Sequence, residues 1–174
     1  MIGLKQGTVR LEQYTSRWRE YYQREKSLLV TTLGDNLLGI EHIGSTSIVG
    51  MTAKPIIDMM VGVRSLEKGK ELVVSLEQLG YKYISEANLP GRLFFSKGKG
   101  DIREVHLHMV EWKGQYWREH ILFRDYLRKN KELAQDYQRL KRELHDKFKH
   151  DRDAYTSSKG DFIKSVLEEA KRSL

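Results

Sequence analysis

Cysteine is absent, which excludes disulfides and thiolate metal sites and leaves histidine and carboxylates as the only strong metal ligands. That absence fits a reducing compartment. Long apolar runs are also missing: no stretch approaches the length of a membrane span, and Lys5 and Arg10 flank no signal-peptide core. A cytoplasmic protein with no membrane partner is the expectation. Proline occurs only twice, as Pro55 and Pro90. Several chemical signatures are missing as well. There is no lysine-containing Gly-rich P-loop, RNP motif, zinc finger or arginine block, and no evident Ser–His–Asp order or glycosidase carboxylate pair.

What is present suits a globular chain: 39% hydrophobic and 32% charged residues over a length that fits one domain, taken as 1–174. The formal net charge is +7. From Trp112 to Arg152 twelve Lys/Arg stand against seven Asp/Glu. A basic stretch of this kind can bind nucleic acid or phosphorylated ligands. The interspersed acids favour the alternative, a solvated helical face.

Apolar residues recur at helical spacing from Leu11 to Leu33, with Gly34 as a stop. A short strand is expected over Ile40–Ile43, then the turn "GSTS". A buried strand follows, opened by Pro55, where proline is tolerated. Ser65 caps a helix expected to reach Leu79. Strands are expected at Tyr81–Ile84, Arg92–Ser96 and Arg103–Val110, separated by the turns "NLPG" and "KGKGD". The last third reads as helical. Leu133, Tyr137, Leu140, Leu144 and Phe148 form one stripe, and a terminal helix begins near Ser158. The order αββαβββααα predicts an α+β fold, a mixed β-sheet flanked by helices.

Asp58 sits inside the apolar run "KPIIDMMVGV". A carboxylate there is costly to bury without a cation, a metal or several donors. It is either salt-bridged, to Lys54 or an arginine, or a metal-ligating or catalytic acid. Gly44, Ser45, Thr46 and Ser47 combine close backbone approach with hydroxyls, as a phosphate-binding turn or an ordinary one would. In "REVHLHMV", period-two spacing puts Glu104, His106 and His108 on one face. This is either the polar face of a half-exposed sheet or part of a two-His-one-carboxylate metal set with an aspartate. Arg124 and Arg128 share a helix face, aimed at an anion or anchoring helix to sheet. Arg92 and Arg103 are further pocket cations.

Taken together, "IEHIGSTSIVGMTAKPIIDMMVGV", "LFFSKG", "VHLHMVEW", "FRDYLRKN", "YQRLKREL" and the late Tyr155, Lys159, Phe162 and Ile163 resemble the GrpB family over nearly the whole chain. One departure is Val49, where the family pattern commonly has proline. The resemblance implies a nucleotidyltransferase-like fold. Gly44 and Ser45 match its nucleotide-holding turn, and Asp58 matches the first of its metal-binding carboxylates. Two residues on, Met60 stands where a second acid is expected, and thioether sulfur is a poor ligand for Mg²⁺.

The resemblance extends to the C-terminal extension of some dephospho-CoA kinases. The function it implies is binding of a nucleotide or other phosphorylated small molecule with a divalent metal (Mg, Mn or Zn), with nucleotidyl transfer as the reaction. Gly44, Ser45, Thr46, Lys54 and Arg103 would contact phosphate. Asp58, His106 and His108 would hold the metal, and Asp58 with His108 or Glu104 would be catalytic. The alternatives are a catalytically degenerate nucleotide-sensing or accessory module, an RNA-binding adaptor, and a zinc hydrolase built on His106 and His108.

Overall fold

The computed structural model describes residues 1–174. A two-residue strand β1 (Leu4–Lys5) precedes helix α1 (Arg17–Leu33) and strands β2 (Gly39–Ile43) and β3 (Ile57–Val63). Helices α2 (Leu66–Lys70) and α3 (Val73–Gln78) lead to β4 (Tyr81–Tyr83) and β5 (Arg92–Lys97). Strands β6 (Ile102–Arg103) and β7 (Val105–Glu111) complete the β structure. Four helices follow: α4 (Gln115–Lys129), α5 (Lys131–Lys147), α6 (Arg152–Ser157) and α7 (Gly160–Arg172). None is long and apolar enough to cross a membrane.

Five strands form a mixed sheet in the order β2-β3-β7-β5-β4, while β1 and β6 pair separately. Only β3 and β7 run parallel. Alternation then assigns the two faces. Ile57, Met59, Val61, Leu93, Phe95, Leu107 and Met109 face the main core, where Trp18, Leu29 and Leu33 of α1 and Leu76 of α3 cover them. On the other face Ile43, Met60 and Val110 pack beneath Trp117 of α4. That cover stops partway along the strands. Beyond it lie Asp58, His106 and His108, facing a gap before the remaining helices. Those helices join the sheet layer through a second cluster that includes Ile48, Met51, Leu127, Tyr137 and Val166.

The α+β fold with a mixed sheet flanked by helices is therefore as the sequence pattern implied, and four element boundaries differ. Helix α1 starts at Arg17 rather than Leu11, because Glu12 is drawn into a β-bridge with Ala53. The helix read as continuous from Ser65 to Leu79 is two pieces. Ser65 caps the first by accepting from Lys68 N (3.3 Å). Glycine at position 69 lets that piece lie against the sheet, where a Cβ would sit 2.6 Å from the Met109 sulfur. The strand read from Arg103 to Val110 breaks at Glu104, since β6 pairs with β1 and β7 with β3. Helix α6 is too short to show a periodic stripe and was not anticipated.

Candidate functional site

Parallel pairing of β3 with β7 sets Asp58 beside His106 and Met60 beside His108. His106 Nδ1 and His108 Nε2 lie 3.5 Å and 3.4 Å from the same oxygen, Asp58 Oδ1. Burial pushes this carboxyl up, but hydrogen bonds from the two imidazoles outweigh it. The group is held well below the usual carboxylate range. The other oxygen, Oδ2, faces the turn: a Cβ on Gly44 would stand 2.7 Å from it. Gly44 also has φ +69°, so both conformation and space call for glycine here.

His108 is held from its far side. Arg92 Nη1 lies 3.3 Å from His108 Nδ1, and a guanidinium can only donate. Nδ1 is therefore the acceptor, and the ring proton sits on Nε2, aimed at Asp58. Burial pushes the His108 imidazole below its ordinary value despite the opposing Asp58 charge, consistent with a neutral ring. Phe94 packs edge-on against both histidines at 5.2 Å and 5.4 Å.

Asp58 forms part of the wall of a cleft of about 750 Å³, a size suited to a small-molecule ligand. Eight lysine and arginine side chains line it against three carboxylates. Lys54, Lys141, Arg152 and Lys159 form no ion pair. Lys141 is 2% exposed, and its Nζ donates to Ser45 Oγ at 3.1 Å and to the Thr52 carbonyl. Lys54 and Lys159 both lie against the buried Tyr155 ring, 5.4 Å and 4.6 Å from its centroid. Burial, followed by repulsion from neighbouring cations, lowers Lys141 to about 7 and Lys54 to about 8. Burial lowers Lys159 to about 8 despite the opposing Asp58 charge.

The other residues singled out in the sequence fall in different places. Ser45 presents its hydroxyl to Lys141. The Thr46 hydroxyl is instead 2.9 Å from His42 Nε2, and Ser47 Oγ donates to the Gly44 carbonyl at 2.6 Å, closing the turn. Arg103 reaches the cleft only at its margin, donating to Gly100 O and Gln6 Oε1. Glu104 is not brought into the cleft: it accepts from Tyr21 OH of α1 at 3.1 Å, because the strand break displaces it from the His106–His108 face. Arg124 and Arg128 are anchors. Arg124 donates to Glu41 (2.6 Å), Asp125 (2.8 Å) and the His42 carbonyl (3.0 Å), and Arg128 to the Ser47 carbonyl (2.7 Å).

Lys141, Lys159 and Arg152 were the residues that sequence reasoning undervalued. A signal was present: Tyr137–Lys141 and Tyr155–Lys159 repeat one spacing, Y-x₃-K, which puts Lys141 on the buried side of α5 and Lys159 in the turn between α6 and α7, beside the Tyr155 ring.

A divalent ion shared by Asp58, His106 and His108 does not fit this arrangement. No group of three His, Asp or Glu side chains converges in metal-holding geometry. A metal on His108 Nε2 would move the ring proton to Nδ1, facing the Arg92 donor. Met60, at the position of the missing second acid, is fully buried among Ile43, Val110 and Trp117.

Comparison with known proteins agrees with the motif pattern. The family model described as GrpB protein matches residues 8–169. The glutamate-rich protein GrpB of Alkalihalophilus pseudofirmus is 38% identical over 173 residues, covering 97% of this chain and 99% of that protein. The crystal structure of conserved protein GrpB from Enterococcus faecalis superposes with a TM-score of 0.86 at 36% identity, covering 94% of this chain and 98% of that one. A dephospho-CoA kinase of Mycolicibacterium paratuberculosis is 27% identical over 188 residues, a match to 93% of this chain but only 46% of the kinase. With its turn, its half-buried aspartate and all but the last residues of its helical layer inside the matched region, the chain belongs to the GrpB family.

Proposed function

We propose that this GrpB-family protein binds a phosphorylated small molecule, a nucleotide in the first instance, in the cleft above Asp58. One observation carries this reading: Lys54, Lys141, Lys159 and Arg152 line one cleft without an ion pair among them. Partly buried cations without a carboxylate partner are unfavourable in the free protein, and an anion of matching charge relieves that cost. Phosphate oxygens would meet the three ammonium groups and the Ser45 hydroxyl. Arg152 would add a planar donor set.

The nucleotidyltransferase-like resemblance supports the placement of the ligand more than it supports transfer chemistry. In-line displacement between two metals needs carboxylates to clamp both oxygens, and Met60 leaves one of them missing. Binding without turnover, as in a nucleotide-sensing or accessory module, is the reading that Met60 favours.

Thermal unfolding with ATP, GTP, CTP, UTP and inorganic tripolyphosphate tests this directly. A ligand that binds only the folded state raises the midpoint, with about 2.7 kcal/mol of stabilisation at a hundredfold excess over Kd. The wild type is expected to show the rise, and Lys141→Met/Lys159→Met to lose it while still unfolding cooperatively. No rise with any of the five ligands, or an equal rise in the double variant, would remove the proposal. RNA binding that is steeply salt-dependent and unchanged in the double variant would favour the basic helices as an RNA surface instead.

A further inference from the structure

The same cleft carries information about which form of a polyphosphate it takes. In cells and in most assays nucleoside polyphosphates travel as complexes with a divalent cation, and sites that use such complexes present carboxylates to the metal. Here the balance is reversed. Asp58 is the one carboxylate that the sheet contributes to the cleft, and the two imidazoles crowd its Oδ1 atom. The Arg92 donor fixes the His108 proton on the nitrogen facing that carboxylate, so His108 offers no lone pair in that direction. Gly44 packs against Oδ2, leaving that side of the group to the turn backbone. The other two carboxylates of the lining, Glu86 and Asp153, are exposed, and four cationic side chains stand in the cleft without an ion pair, one of them, Lys141, 2% exposed.

A metal bound to a polyphosphate cancels part of the negative charge that such cations would meet. It also brings a hydrated positive ion into a cleft already in excess of positive charge. We propose that the cleft selects the metal-free form of a polyphosphate, with Lys54, Lys141, Lys159 and Arg152 neutralising the ligand where a two-metal site would use divalent ions. The inference rests on the phosphate-binding reading above and adds to it the chemical form of the ligand. Asp58 then has a different role from a metal ligand. Its charge, carried by the two histidines, faces the lysines and limits how strongly they repel one another in the free protein.

Calorimetric titration of the full chain with inorganic tripolyphosphate tests this, in EDTA and in excess MgCl₂ at matched ionic strength. Binding is expected to be weaker by at least about tenfold in magnesium, because the apparent affinity falls with the metal-free fraction of the ligand. Asp58→Asn is expected to show the same metal response as wild type. Lys159→Gln, at a half-buried position, is expected to bind more weakly in both buffers with the same ratio between them, since that ratio belongs to the ligand.

Equal affinity in the two buffers would overturn the selectivity. So would tighter binding in magnesium or manganese, most decisively if Asp58→Asn or His108→Ala abolished that gain. Absence of binding in both buffers would remove the phosphate-binding reading itself, a result distinct from either of these.

Discussion

Gly44 and Asp58 are fitted to each other at the scale of single atoms. A methyl group at position 44 would stand 2.7 Å from Asp58 Oδ2, on a backbone with φ +69°. Gly44→Ala therefore combines left-handed strain with a clash against a charged group that two histidines hold in place. The expected loss is about 2–3 kcal/mol, read as a lower denaturant midpoint at constant m-value. A change below about 0.5 kcal/mol would show that the turn relaxes and that the contact is unimportant. Lys141 makes the opposite case. Its ammonium is buried with two hydrogen bonds and no counter-charge. Lys141→Met keeps most of the volume and removes the charge, so the unliganded protein is expected to gain about 2–4 °C in Tm while losing polyphosphate affinity. A lower Tm would mean that the bonds to Ser45 and Thr52 outweigh the desolvation cost.

At the scale of elements, α4 fixes the position of the turn. Arg124, 7% exposed, ties α4 to β2 through Glu41 and the His42 carbonyl, and Arg128 holds the Ser47 carbonyl one helical turn on. Arg124→Ala strands the carbonyl, while the half-exposed Glu41 regains water. The expected destabilisation is about 2 kcal/mol, below the range for a fully buried pair, and ligand affinity should fall because the turn is no longer held against Asp58. Chemical denaturation and the tripolyphosphate titration separate the two effects.

The same elements show what could be read from the sequence. Alternation correctly placed His106 and His108 together, because both lie within one uninterrupted strand. It failed at Glu104, where pairing passes from β1 to β3, a change set by partners roughly fifty to a hundred residues away in sequence. The neighbourhood of Asp58 and His106 rests on a parallel register of the same non-local kind. Arg124 and Arg128 were correctly seen to share a face, but their acceptors on β2 and the turn were out of reach of local pattern. Lys141 of α5 and Lys159 of the turn before α7 were masked by composition: in a stretch rich in mixed charge, each differs from its neighbours only in its register with Tyr137 or Tyr155.

At the scale of the whole molecule, the unpaired lysines tie stability and binding to pH. Lys141 is lowered to about 7, and Lys54 and Lys159 to about 8, from an ordinary value of 10.5. Between these folded-state values and about 10.5 the unfolded chain holds more protons than the native one. Stability therefore rises with pH across that window, and the penalty of charged lysines is fully present below about pH 7. Lys141 dominates the effect, since Lys54 and Lys159 are only half-buried and partly screened by solvent. The Tm of the unliganded protein, taken relative to Lys141→Met, is expected to rise from about pH 7 to about pH 9.

A bound polyanion reverses the preference, because it favours the charged form of each lysine and is taken up together with protons. The ligand-induced rise in Tm should therefore shrink over the same pH range in which the unliganded protein gains stability. If both curves instead ran parallel between those limits, the lysines would not be the groups that meet the phosphate. The charge neutralisation would then have to come from residues that do not titrate there, Arg152 and the other guanidinium groups of the cleft.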